Sequence, residues 1–380
     1  MFELKFTEEQ EMLRQMVREF TNNEVKPVAA KIDSEERIPP ELIRKIADLG
    51  LLGAAIPTEY GGGGFGEVGY CIIQEEISRG CLSTATFIGA HQSIGMNAIY
   101  LGGSEEIKRK YLPPLAEGKM IAAFGLTESK AGSDSFNVRT KAVLDGSEWV
   151  INGEKLWITN GSIADVISLF ARTERGVTAF VVETKTPGFH AHPPEKKMGI
   201  KGSVTNALTF ENVRIPKENI IGQEGRGFLI AMKTLDAGRL GLGAACVGSS
   251  KEMLELSAKH AKGRVQFDQP ISNFQGVQFM LAEMATLIYA MESIVYRTAT
   301  DYDLGKNISR QSAMVKLFCS ESADKIMDYA VQIHGGMGYS RELPIERFYR
   351  DSRINKIFEG TNEIQKGIIA RDTIKKNGVM

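Results

Sequence analysis

The chain has 380 residues, 43% hydrophobic and 24% charged, which is ordinary globular usage with room for two or three domains and an ample core. Gly 39 and Pro 12 are close to average, which excludes collagen-like and low-complexity classes. Lys and Arg number 46 against 47 Asp and Glu, so no charge excess points to nucleic acid or an anionic membrane.

Thr7, followed by Glu8, Glu9 and Gln10, predicts an N-cap with a capping box, and Leu13, Met16, Val17 and Phe20 then recur at helical spacing. Pro39 and Pro40 open a second helix, Glu41 to Gly50, which ends on glycine. Gly61 to Gly64 read as a flexible turn; with no Lys-Ser/Thr successor, the run is not a phosphate cradle.

Near residue 122 the period changes. Residues 148–152, 166–172, 177–183 and 207–210 read as short strands rich in β-branched and aromatic residues. Asp145-Gly146, Asn152-Gly153, Asn160-Gly161 and Pro187-Gly188 supply the turns. No helices intervene, so an antiparallel barrel or sandwich is expected rather than a doubly wound sheet.

From about Gly227 the helical period returns and holds to the end. Phe279, Met280, Glu283, Met284 and Leu287 form a stripe that breaks near Asp303 to Asn307. Another helix runs from Ser309 to His334, where Gly335-Gly336 interrupts it. The fold class expected is α+β and mostly α: a helical domain over 1–121, a small β domain over 122–226 and a helical bundle over 227–380.

Cys71, Cys81, Cys246 and Cys319 lie far apart, with no C-x-x-C pair or metal-ligand spacing, and read as buried thiols in a reducing compartment. Of the histidines only His190 and His192 are close, and they read as loop or strand surface, so no metal is expected. No apolar run approaches a membrane span, and the start from Met1 to Gln10 has neither signal nor transit character. A soluble, cytoplasmic chain is expected.

Periodicity alone reveals no reaction; short strings do. Phe124-Gly-Leu-Thr-Glu-Ser-Lys-Ala-Gly-Ser-Asp134, Leu156-Trp-Ile-Thr-Asn-Gly161 and Phe358-Glu-Gly-Thr-Asn-Glu-Ile-Gln365 resemble signature segments of the acyl-CoA dehydrogenase family. Arg264-Val-Gln-Phe267, Gln275 and Gln332-Ile-His-Gly-Gly336 match further family segments in the expected order, and the resemblance covers essentially the whole chain. It implies a C-terminal four-helix bundle, FAD at a dimer interface within a homotetramer, and electrons passed to an electron-transferring flavoprotein.

The chemistry such an enzyme performs removes a proton at Cα of an acyl thioester and a hydride at Cβ. The weakly acidic proton needs a positioned base and stabilisation of the developing enolate oxygen. The resemblance places that base at Glu359. Some branches carry the glutamate earlier, within Leu235-Asp236-Ala237-Gly238-Arg239-Leu240, but Gly238 stands there. The resemblance implies substrate contacts for Ser133, Asp236, Arg239, Gly360 and Arg371. For the flavin it implies Phe124, Leu126, Thr127, Ser133, Trp157, Ile158 and Thr159. Arg264, Gln266, Phe267, Gln275 and the Gln332–Gly335–Gly336 turn would reach the cofactor from the neighbouring subunit, and Thr361 and Glu363 add further contacts. Family members usually have Pro at Ser129 and Gly at Asp268, so this chain departs at both.

Two rival classes stay open: an acyl-CoA oxidase-like or nitroalkane oxidase-like relative using dioxygen, and a non-catalytic acyl-CoA-binding member. For chain length, small Gly89, Ala90 and Gly95 suggest an open channel. They and Pro193 to Ile200 resemble the longer-chain branch, whereas Asp236 to Arg239 resemble the short-chain branch. The expectation drawn is a medium or long straight acyl group.

Overall fold

The computed structural model describes residues 6–376. The first five residues, part of the segment read for leader character, lie outside the described residues. Helix α1 (Glu8–Phe20) starts as its sequence predicts: Thr7 Oγ1 accepts from the Gln10 N–H at 3.2 Å, and the Gln10 side chain accepts from the Thr7 N–H at 3.0 Å. Then come α2 (Ala29–Glu35), α3 (Pro40–Asp48), α4 (Gly66–Ser78), α5 (Leu82–Gly89), α6 (Asn97–Gly102) and α7 (Glu105–Ala116). A π-helical turn, Ala90–Met96, joins α5 to α6.

The middle of the chain is one sheet of eight strands. They are β1 (Ala122–Gly125), β2 (Lys141–Asp145), β3 (Glu148–Thr159), β4 (Val166–Thr173), β5 (Gly176–Glu183), β6 (Phe189–Ala191), β7 (Thr205–Pro216) and β8 (Ile220–Ile221). Their order is β6-β7-β3-β2-β4-β5-β8, with β1 alongside β4. Most neighbours are antiparallel as expected, but β1 and β2 each run parallel to β4. The sequence reading missed β1 because all four of its residues are buried, so it carries no alternation.

The C-terminal third is built on α8 (Gly227–Gly263), whose 37 residues span about 55 Å. A hairpin of β9 (Val265–Gln266) and β10 (Gln269–Pro270) leads to α9 (Gln275–Asp303) and α10 (Ser309–His334). Short α11 (Gly336–Tyr339) and α12 (Ile345–Ser352) precede α13 (Asn362–Lys376). One apolar cluster fuses both helical ends, from Leu13 and Cys71 through Val247 and Met284 to Ala323. Glycines in α8 let α4 approach: a Cβ at Gly241 would meet the Tyr70 ring at 2.3 Å, and one at Gly248 the Glu75 carbonyl at 1.8 Å.

By length and mean hydropathy α9 could cross a membrane, although its charged residues break any continuous apolar run. It packs along α4, α8 and α10 and leaves Phe279 and Tyr289 exposed. The four cysteines are buried and free.

Candidate active site

Glu359 lies in the short link between α12 and α13, at φ +55, and Gly360 follows at φ +90. Two consecutive left-handed residues make a sharp turn that a glutamate adopts only under constraint. The constraint is visible. Arg239 Nε and Gln365 Nε2 both donate to the Glu359 carbonyl, at 3.3 and 3.2 Å, and Gln365 also donates to the Gly360 carbonyl at 2.9 Å. Below the turn, buried Lys316 donates to Asn362 Oδ1 at 2.8 Å, which anchors the first turn of α13.

The carboxyl of Glu359 is directed at α8. A Cβ at Gly238 would lie 2.9 Å from Glu359 Oε2 and 3.0 Å from Ile94. Oε2 is buried and has no hydrogen-bond partner. Burial raises the carboxyl to about 7, with Arg239 and Lys316 pulling the other way. An unpartnered acid poised near neutrality is what proton abstraction requires.

A second group of expected residues gathers where β1 runs out beside β3. Phe124 and Leu126 are buried, Thr127 is half-buried, and the Thr127 carbonyl accepts from the Leu156 N–H at 2.9 Å. In β3 the pairing with β7 slips between Lys155 and Ile158, forming a bulge. Trp157 sits in that bulge at φ +60 and is 54% exposed, flanked by buried Ile158 and half-buried Thr159. A bulge re-aims a side chain. Here it turns a large indole outward, where a buried core tryptophan would face in.

Underneath lies a pair that the sequence reading missed. Lys155 is fully buried and donates to Glu128 Oε1 at 2.7 Å and to the Leu126 carbonyl at 3.1 Å. Glu128 also accepts from the Arg139 and Thr140 N–H groups, at 2.6 and 3.0 Å. This buried pair ties the Phe124–Thr127 segment and the exposed Ser133 loop to β3. Its signal was a lysine at an inward position of an alternating strand. Ser129, at the position usually Pro, donates to Glu154 at 3.2 Å.

A third group stands at the far end of α8. Arg264, Gln266, Phe267, Gln275, Gln332, Gly335 and Gly336 are all exposed, Phe267 to 87%. The His260 and His334 rings, 4.4 Å apart, bring the α8 and α10 ends together there. Gly238 and Arg264 are separated by about 39 Å along the helix, so this group is far from Glu359.

The remaining expected residues take the following positions. Arg239, expected against substrate, is buried and spent on Asp236 at 2.8 Å and on the Glu359 carbonyl. Thr361 Oγ1 accepts from the Ile364 N–H and caps α13, while Glu363 and Arg371 are exposed. The space beside Gly89 and Gly95 is taken up: a Cβ at Gly89 would lie 3.2 Å from the Tyr70 hydroxyl, and one at Gly95 2.8 Å from Ala122. Both glycines serve close packing.

Family models described as the acyl-CoA dehydrogenase N-terminal, middle and C-terminal domains match residues 7–119, 123–213 and 225–374. The chain is 44% identical to an acryloyl-CoA reductase (NADH) of Anaerotignum propionicum, covering 98% of this chain and 96% of that protein. A solved butyryl-CoA dehydrogenase from Megasphaera elsdenii superposes with a TM-score of 0.96 at 37% identity, covering 98% and 100% of the two chains. A chain from a structure titled for the electron transferring flavoprotein of Acidaminococcus fermentans, and for flavin-based electron bifurcation, gives 0.96 at 40% identity, again covering 98% and 100%. With three family models in series and relatives matched end to end, the chain belongs to the acyl-CoA dehydrogenase family.

Proposed function

We propose that this protein is an FAD-dependent dehydrogenase that converts a short saturated acyl-CoA to its trans-2-enoyl-CoA and passes the electrons to an electron-transferring flavoprotein. The observation that carries the reading is the Glu359 carboxyl: buried, without a partner, raised to about 7 and held on a strained turn against Gly238.

The residues present fit a flavin. Trp157 offers an exposed aromatic face on a left-handed backbone, two residues before Thr159 and beside Leu156, whose N–H bonds the Thr127 carbonyl. FAD, when bound there, supplies the acceptor for the hydride that leaves Cβ. The far-end group, exposed and about 39 Å from Gly238 along α8, fits the other half of a cofactor held by a second copy of the chain. Arg264 would hold its pyrophosphate with a forked guanidinium. A dimer of dimers follows from this reading, and the exposed apolar side chains of α9 supply a face for it.

Glu359 takes the α proton onto its free Oε2. The hydrogen bonds from Arg239 and Gln365 fix the Glu359 carbonyl, so the turn cannot swing when the carboxyl changes charge. The N–H of Glu359 is the donor we place on the thioester carbonyl as negative charge builds on its oxygen. Asp236 holds Arg239 in this task, while Ser133 and Arg371 remain the exposed side chains offered to the CoA portion. Enoyl reduction uses the same groups in reverse, Glu359 returning the proton, which accommodates relatives named as reductases.

A short acyl group is favoured over the longer chain expected from the sequence because Tyr70 closes the space beside Gly89 and Gly241. The test is a stopped-flow reaction of the purified holoenzyme with butyryl-CoA. Rapid bleaching of the flavin, lost in Glu359→Gln, supports the reading, and bleaching that survives the substitution rejects Glu359 as base.

A further inference from the structure

A second buried acid, Glu67, lies near enough to Glu359 to feel its charge, and proton abstraction does not use it. Helices α4 and α8 run parallel, with Tyr70 over Gly241 and the Glu75 carbonyl over Gly248. Three residues back on each helix, one turn on the same face, Glu67 comes opposite Gly238, against which the Glu359 carboxyl lies. Glu67 is 5% exposed, and its Oε1 has no hydrogen-bond partner.

The start of α4 does not satisfy this side chain. Asp303 takes the N–H groups of Glu67 and Val68, at 2.7 and 3.0 Å. Nor does Glu67 form an ion pair among the described residues. Burial, then Asp303, then Glu359, raise the Glu67 carboxyl well above the usual carboxylate range. Tyr70 and Tyr302 lie close enough for the Glu67 charge to act on their hydroxyls. A buried polar group with nothing to bond costs stability unless a ligand supplies the partner.

We propose that Glu67 is a specificity-determining residue that reads the far end of the acyl group, donating its O–H to a neutral oxygen there. The preferred substrates are then short acyl thioesters ended by a hydroxyl or carbonyl oxygen, in place of a methyl. The inference rests on the short-acyl dehydrogenase reading and names its substrate class. A terminal carboxylate is disfavoured by the same wall, since Glu67, Asp303 and Glu359 offer it only acids.

The test compares pentanoyl-CoA with the thioester in which a hydroxyl replaces its terminal methyl, an exchange that leaves chain length unchanged. Two readouts are taken on the holoenzyme: kcat/KM, and calorimetric dissociation constants for the two enoyl products. The hydroxyl-ended ligand should win by about tenfold or more in both, because a site built around a hydrogen bond rejects the analogue that lacks it. Glu67→Gln should keep the preference and Glu67→Leu invert it. Preference of the native enzyme for pentanoyl-CoA overturns the proposal without any variant. So does a Glu67→Leu enzyme with the native preference, or tighter binding of an ammonium-ended thioester, which would make Glu67 a carboxylate. Failure of the dehydrogenase reading looks different: butyryl-CoA then leaves the flavin oxidised while the enoyl ligands still rank by their terminal group.

Discussion

The two ends of the site residues differ in how their polar groups are used. Around Glu359 the backbone is held by partners inside the chain, two donors on one carbonyl, while the carboxyl Oε2 is left unpaired. Around Arg264 the side chains stand in solvent, and an exposed phenylalanine tops a hairpin of two-residue strands. A region finished by its own chain can be tuned, as the raised Glu359 carboxyl shows. A region left open gains its function from what docks on it. The first end is where chemistry is set, and the second is where affinity for cofactor and copy is set.

If that division is right, the largest effect belongs to Glu359→Gln. Removing a positioned base should lower the rate of flavin bleaching by about 10³–10⁴-fold, with FAD content unchanged. The pH profile sharpens the point. Glu359 must be ionised to act, so kcat/KM should rise with pH and level off above about 7. Stability should move the opposite way. Below the ordinary value of 4.5 the group is protonated in both folded and unfolded chains. As pH rises through 4.5 toward 7, only the unfolded chain gives up its proton, so folded stability declines. Glu359→Gln should abolish that decline in urea unfolding; an unchanged decline would show that another buried acid governs it, such as Glu67 or Asp351, whose carboxyl burial also raises to about 7.

Arg239→Met comes next and attacks the same closed end through its support. The substitution leaves Asp236 half-buried with only serine partners, at a cost of about 3–5 kcal/mol by analogy with broken buried pairs. It also removes a charge that holds the Glu359 carboxyl down, so the activity profile should shift to higher pH. A residue that only contacted CoA would raise KM and leave the profile in place.

How much of this was legible in sequence follows the same division. The capping box at Thr7, the helix from Ser309 to His334 and the strands at 166–172 and 177–183 are local patterns, and each appears where its pattern lies. Glu359 was reachable because its string is local too. Glu67, Lys155 and Lys316 were not, because each is an ordinary charged residue whose meaning depends on a neighbour far along the chain. Lys155 pairs with a glutamate 27 positions away and Lys316 with an asparagine 46 away. Gly89 and Gly95 misled for the same reason: small residues look like open space until the side chain filling it is known.

At the open end, Arg264→Ala should weaken FAD by about 10- to 100-fold, the range of a lost charge-assisted hydrogen bond of about 1.5–3 kcal/mol. Its thermal stability without added FAD should stay within about 0.5 kcal/mol of the parent, because an exposed side chain outside the core contributes little. Titration of the apoenzyme with FAD gives the first number and denaturant melts give the second. A large loss of stability with normal FAD affinity would place Arg264 on the structural side and break the comparison.

The smallest effect is expected at Asp268, where this chain departs from the usual glycine. Phe267 and Asp268 form the two-residue loop between β9 and β10, at φ +51 and +62, which is the left-handed pair of a type I′ turn. Aspartate tolerates that conformation better than most residues but still less well than glycine, whose lack of a Cβ removes the strain. Against this, glycine loses more backbone freedom on folding, so Asp268→Gly should change stability by no more than about 1 kcal/mol. FAD affinity separates two uses of the carboxylate. Held near a phosphate-binding Arg264, the anion opposes the pyrophosphate, so its removal should tighten FAD by a few-fold, and the gain should shrink as salt screens it. If Asp268 instead orients Arg264, the same substitution should weaken FAD, and Asp268→Asn, which keeps the shape without the charge, should restore most of the loss.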